Sequence, residues 1–157
     1  MAVDKNLFLY DVAVVALTYN ERHYIKEWLD YHLLAGVEHF YLYDHESTDN
    51  YREISRTYEE NGLVTDKYYP GKVKHIAAFN DAVKNFKFFC RYMAFIDDDE
   101  FLLPKHNKTI GEVIDDVFAI HPNYTGALPK SAVKATCFSC VDESAQFSCN
   151  EVSLAIL

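Results

Sequence analysis

The chain has 157 residues, a formal net charge of -9 and a composition that is 50% hydrophobic and 15% aromatic. That length suits a single domain with a real core, and the apolar content is too high for a disordered chain. The acidic balance excludes nonspecific nucleic-acid binding, which depends on Lys and Arg neutralising phosphates, and no apolar run reaches the roughly 20 residues of a spanning helix. The opening "MAVDKNLFLYDV" has no long apolar stretch, so no secretory signal is expected. Four cysteines, three of them late in the chain, do not resemble a disulfide framework, and a reducing cytoplasm is the simplest setting.

"YDVAVVALTYNER" begins with an unbroken apolar run from Val12 to Leu17, the pattern of a strand buried on both faces of a parallel sheet. In "ERHYIKEWLDYHLLAG", the residues Ile25, Trp28, Leu29, Leu33 and Leu34 recur at helical spacing, and Gly36 is the expected stop. "HFYLYD" predicts a second strand, "HESTDN" a turn-rich loop and "YREISRTYEENG" a short helix ending at Gly62. "LVTDKYYPG" predicts a third strand. A helix follows in "KHIAAFNDAVKNFKFFC", with Ile76, Phe79, Ala82, Val83 and Phe86 on one stripe. "YMAFI" predicts a strand running straight into Asp97, and Thr109 and Glu112 are spaced as a capping box before "TIGEVIDDVFAI". From Thr125 the aromatic content falls and the periodicity weakens, with "NEVSLAIL" a candidate terminal strand. Residues 1–124 are therefore expected to form the core unit and residues 125–157 an atypical segment.

Alternation of strand and helix implies an α/β fold with a mostly parallel sheet and right-handed crossovers. Such sheets bind ligands beyond the carboxyl ends of their strands. Three of those ends carry "TYNE", "DHESTD" and "DDDEF". In the last, Asp97, Asp98, Asp99 and Glu100 are wedged between two apolar runs, where an unpaired carboxylate is costly. A divalent cation is the economical partner, since oxygen ligands suit Mg²⁺ or Mn²⁺. On an extended chain Asp97 and Asp99 project together and Asp98 points the other way, leaving Glu100 a supporting or structural carboxylate.

In "TYNE", Asn20 reads most simply as a helix N-cap, while the functional reading has Tyr19 packing on a planar ligand at a helix start. Asp44 with Ser47, Thr48 and Asp49 is either an Asx/ST turn or an acceptor for a base imide or ribose hydroxyl. Asn80 faces solvent or a phosphate. Cys137, Cys140 and Cys149 lack a matching fourth zinc ligand, and His23, His32 and His39 are packing or surface residues. Phosphate-loop, dinucleotide-loop and nucleophile-elbow patterns are missing from the sequence.

The stretches "VAVVALTYNERHYIKEWLDYHLLAGVEHFYLYDHESTDN", "AAFNDAVKNF" and "YMAFIDDDEFLLP" resemble nucleotide-diphospho-sugar glycosyltransferases of the family-two type. The match is nearest to a branch with an "IDxDEF" strand end that includes the galactan-synthase-like enzymes. The resemblance implies a GT-A, Rossmann-like fold, here truncated on its C-terminal side. It also implies a metal-dependent, inverting transfer from a UDP-sugar donor to the hydroxyl of a glycan or polysaccharide acceptor. By the same resemblance, Thr18, Tyr19, Asn20 and Glu21 line the nucleotide pocket, Asp44 contacts uracil or ribose, and Asn80 lies near the sugar-nucleotide. Asp97 and Asp99 form the DxD pair that holds Mn²⁺ or Mg²⁺ on the diphosphate. A cytoplasmic location follows, open to peripheral association with the inner face of a membrane. The pattern departs from the family at His45 and Glu46, and no catalytic base is assigned. Two alternatives are a nucleotide-sugar-binding fragment without turnover and, with Phe101 where a threonine is wanted, an aspartyl-nucleophile phosphatase.

Overall fold

The computed structural model describes residues 5–71, 75–104 and 107–120, and the strand backbones of 135–137 and 153–156. In chain order the elements are β1 (Tyr10–Thr18), α1 (Ile25–Leu34), β2 (His39–Asp44), α2 (Arg52–Glu60), β3 (Val64–Tyr68) and α3 (His75–Phe86). They continue with β4 (Cys90–Phe95), β5 (Glu100–Leu102), α4 (Ile110–Ile120), β6 (Ala135–Cys137) and β7 (Ser153–Ile156). The main sheet has the order β3-β2-β1-β4-β7, parallel except for β7, which runs antiparallel to β4. A small second sheet pairs β5 with β6. The terminal strand expected in "NEVSLAIL" is β7; of the rest of the atypical segment, the described residues include only β6, where the sequence predicts no strand.

The apolar run of β1 is explained by burial on both faces. Val12, Val14 and Ala16 face one core with Trp28 and Leu29 of α1 and Ile110 and Ile114 of α4. Ala13 and Val15 face the other, with Ala78 and Ala82 of α3. Helices therefore cover both sides of a sheet whose central strand has no wet face. Gly36 ends α1 with φ 97°, and a Cβ there would meet the Thr109 Cβ at 2.7 Å. Both the left-handed turn and the close approach of the loop before α4 require glycine at that position. The Thr109–Glu112 capping box forms reciprocally: Thr109 N donates to Glu112 Oε2 at 2.7 Å and Glu112 N to Thr109 Oγ1 at 3.3 Å.

Two periodicity readings shift. Ile76 is 76% exposed, and α3 buries Ala78 and Ala82 instead, because small residues let the helix lie close to the sheet. Leu34, at the end of α1, is also exposed. The larger correction concerns β4. It stops at Phe95, Ile96 remains tied to β1 through its amide and Val15 O at 3.2 Å, and residues 97–100 form a turn closed by Glu100 N donating to Asp97 O at 3.0 Å.

Candidate functional site at the carboxyl ends of β1 and β4

From β1 the chain winds outward through β2 to β3, then returns to the other side of β1 as β4. The strand order reverses between β1 and β4, and a crevice opens at such a switch point beyond the carboxyl ends. Two segments border it: Thr18 to Glu21 after β1 and Asp97 to Glu100 after β4.

The loop after β1 does not cap a helix. α1 starts at Ile25 with no side-chain cap, and Asn20 instead takes a left-handed conformation at φ 60°. Its Oδ1 accepts the Thr48 amide at 2.7 Å, and its own amide donates to Ser47 Oγ at 3.0 Å. Two residues on, the Arg22 amide donates to Asp49 Oδ2 at 2.7 Å. These bonds lock the loop after β1 to the loop after β2, and asparagine is the non-glycine residue that best tolerates the required backbone. One N–H at the entry to α1 is thereby committed to Asp49.

Asp44 is buried at the end of β2. Its Oδ1 accepts the Ser47 amide at 2.9 Å, and its Oδ2 lies 3.4 Å from Arg52 Nε. The Asx-turn geometry is realised, and both carboxylate oxygens already face a protein group. Thr18 is fully buried, with its carbonyl accepting the His45 amide at 2.9 Å. Tyr19 is 56% exposed at the crevice, its ring 6.1 Å from that of His45. Asn80 is exposed on α3.

The acids after β4 depart most from the extended-strand expectation. Because residues 97–100 turn, Asp98 comes within electrostatic range of both Glu21 and Asp99. Burial, then the like charges of Glu21 and Asp99, push the Asp98 carboxyl up to about 8. Its Oδ2 is shut off from solvent and has no hydrogen-bond partner. Burial and the charges of Asp99 and Asp49 raise the Glu21 carboxyl as well. Among the described residues, no Lys or Arg pairs with Glu21, Asp98 or Asp99. Asp97 is half-exposed, with His75 at the start of α3 lying 3.8 Å away. Glu100 is buried and receives the Asp97 amide on Oε2 at 3.3 Å, bracing the turn from below.

The site thus gathers Glu21, Asp98 and Asp99, with Asp97 and Asp49 around them. Sequence reasoning missed the inward Asp98 and the contribution of His75. An inward middle aspartate has no signature in one dimension, and His75 lies 22 positions upstream of Asp97.

Such a donor set suits a hard divalent cation: the oxygens are carboxylates, and a buried Oδ2 has nothing to bind. Among the described residues, no three His, Cys, Asp or Glu side chains form a ready cage. A cation here would be completed by ligand oxygens and water, as is usual for Mg²⁺ beside phosphates. No helix among the described residues is long and apolar enough to cross a membrane.

Comparison with known proteins agrees with this architecture. The chain is 25% identical over 134 residues to a glycosyltransferase family 92 protein of Ricinus communis, covering 83% of this chain and 23% of that one. It is 27% identical over 106 residues to one of Oryza sativa subsp. japonica, covering 67% and 18%. The chain therefore spans about a quarter or less of the length of these curated relatives. Among solved structures, S. aureus TarS superposes with a TM-score of 0.52 at 20% identity over 76% of this chain and 20% of that one. Its 1-349 fragment in complex with UDP gives 0.53 at 20% identity, over 71% and 33%. These neighbours share the fold, a GT-A-type mostly parallel sheet flanked by helices. The family model of glycosyltransferase family 92 matches residues 11–146. The resemblance to nucleotide-sugar glycosyltransferases thus holds at the level of a glycosyltransferase. The chain belongs to glycosyltransferase family 92.

Proposed function

We propose that the chain binds a UDP-sugar at the crevice between β1 and β4, through a divalent cation, and serves transfer of the sugar to a glycan hydroxyl. The carrying observation is the carboxylate cluster at the switch point, in which Asp98 Oδ2 is buried and unpartnered. A protein with net charge -9 needs a cation to hold a diphosphate. Family membership and a fold neighbour solved with UDP support the donor class. Asp97 and Asp99 would hold Mn²⁺ or Mg²⁺ with Asp98 and Glu21 behind them, and the cation would favour the ionised form of Asp98, which burial and like charges otherwise keep protonated. When bound, the cation supplies positive charge against the leaving diphosphate. Tyr19, exposed beside His45, offers a face for the base. Asn20 and Asp44 hold the two loops that frame it, and Asn80, exposed on α3, would approach the sugar-nucleotide. Inversion at the anomeric carbon, a polysaccharide acceptor and cytoplasmic work at the inner face of a membrane complete the reading.

Calorimetry of UDP binding tests it. Binding is expected to require Mn²⁺ and to weaken at least about tenfold in Asp99→Ala. Metal-independent binding of equal strength would sink the assignment. Metal-dependent binding with no transfer from a UDP-sugar would favour a nucleotide-sugar-binding unit over an enzyme.

A further inference from the structure

The acid turn hangs between two anchors. On the β4 side, Ile96 N bonds Val15 O. On the β5 side, one edge pairs with β6, and the other is held by three side chains of α1 rather than by a strand. Trp28 Nε1 donates to Glu100 O at 2.7 Å, Tyr31 Oη donates to Leu102 O at 3.1 Å, and the Leu102 amide donates to His32 Nε2 at 3.2 Å. The Phe101 ring stacks on His32, with centroids 5.6 Å apart and planes 18° apart, and meets the edge of Tyr31 at 5.1 Å.

His32 is the demanding member of this set. It is fully buried. A backbone amide only donates, so Nε2 must be the unprotonated nitrogen, and Nδ1 carries the proton to Trp28 O at 2.8 Å. Burial lowers its pKa to about 4, which keeps the acceptor available at neutral pH. Packing alone would be satisfied by an apolar ring. An imidazole with both nitrogens spoken for fixes the height of β5 against α1, and with it the exit of the Asp97–Glu100 turn.

We infer that His32, assisted by Trp28 and Tyr31, is a positioning residue: it holds β5 so that the carboxylates of the preceding turn are preorganised for a metal-bound nucleotide. The ligand part of this inference rests on the function proposed above, whereas the clamp itself does not. Preorganised donors bind more tightly because ordering is completed before the ligand arrives.

The test compares two substitutions in the full chain with UDP and Mn²⁺ as probes. His32→Phe keeps a ring against Phe101 but leaves the Leu102 amide without an acceptor. His32→Gln places an oxygen near the position of Nε2. UDP affinity in saturating Mn²⁺ is expected to fall about tenfold in His32→Phe and to return to within about threefold of wild type in His32→Gln. Equal affinity in wild type and His32→Phe overturns the inference, as does a His32→Gln variant as weak as His32→Phe. Amide exchange at Leu102 reports the clamp without any ligand. It should be slow in wild type and His32→Gln and at least about tenfold faster in His32→Phe. A wild type that does not bind UDP but shows this exchange pattern refutes the proposed function and leaves the clamp standing; unchanged exchange refutes the clamp. If His32→Phe does not fold, Tyr31→Phe removes only the bond to Leu102 O. It should weaken UDP about threefold at an unchanged melting temperature, and no change in affinity would overturn the proposal.

Discussion

The two ends of the β1–β4 pair use carboxylates in opposite ways. At the amino ends, Asp11 and Asp115 bracket the buried Arg91: its Nη1 reaches Asp11 Oδ1 at 3.1 Å and Asp115 Oδ2 at 3.0 Å, and its Nη2 pairs with Asp115 Oδ1. Tyr92 Oη adds a bond to Asp115 Oδ1 at 2.7 Å. At the carboxyl ends, Glu21, Asp98 and Asp99 gather with no such cation among the described residues. The first cluster pairs its carboxylates with a cation and serves the fold, although Arg91 Nε is itself buried without a partner. The second keeps a buried oxygen open and is costly to the folded state, which is the usual mark of a binding site.

The largest expected effect breaks the closed end. Arg91→Met strands Asp11 and Asp115 beside the core and should destabilise by about 3 kcal/mol in urea unfolding, the half-exposure of Asp115 keeping the loss from being larger. A loss below about 0.5 kcal/mol would show that this end is no more than a surface ion pair.

The second prediction sharpens the open end through pH. Folding raises the Asp98 carboxyl from its ordinary value of 3.8 to about 8, so the native state binds the extra proton and stability falls as pH rises through that window. His32 acts in the opposite sense below 6.5, its ordinary value, because folding lowers its pKa to about 4. The informative interval is therefore from about pH 6.5 to 8, over which wild type should lose about 1–2 kcal/mol. Asp98→Asn should flatten that slope, measured as urea midpoints at the two ends of the interval, and a slope unchanged by the substitution would remove Asp98 from the cluster. Added Mn²⁺ should also flatten the wild-type slope, since a bound cation replaces the proton.

An effect of similar size concerns the frame around the open end. Asn20→Ala loses the bonds between Oδ1 and Thr48 and places alanine at φ 60°, for a cost of about 1–2 kcal/mol. Asn20→Gly should recover the backbone part alone. If alanine and glycine behave alike, the left-handed turn carries no strain.

Much of this was legible in one dimension. The run from Val12 to Leu17 has no polar interruption, and only a strand covered on both faces needs that pattern. Thr109 and Glu112 announced a capping box that forms as spaced, and Gly36 announced the end of α1. The gathering of acids at strand ends followed from alternation, because parallel strands bring their carboxyl ends to one side. Other assignments failed where a local rule met a distant partner. Asn20 has N-cap chemistry, but Ser47 and Thr48 claim it from another loop. His32 packs as its sequence context suggests, but the backbone it also holds lies 70 positions away and is not legible locally.

Sequence by itself determined the strand–helix order, the two-faced core and the presence of acids after "YMAFI", since these depend on periodicity and composition within short windows. Only the tertiary structure decided which acid faces which. The chain turns at Asp97–Glu100 instead of continuing extended, because β5 is drawn back onto α1 by Trp28, Tyr31 and His32. That turn brings Asp98 within electrostatic range of Glu21 across the switch point, and a coupling between residues so far apart in the chain leaves no periodic trace.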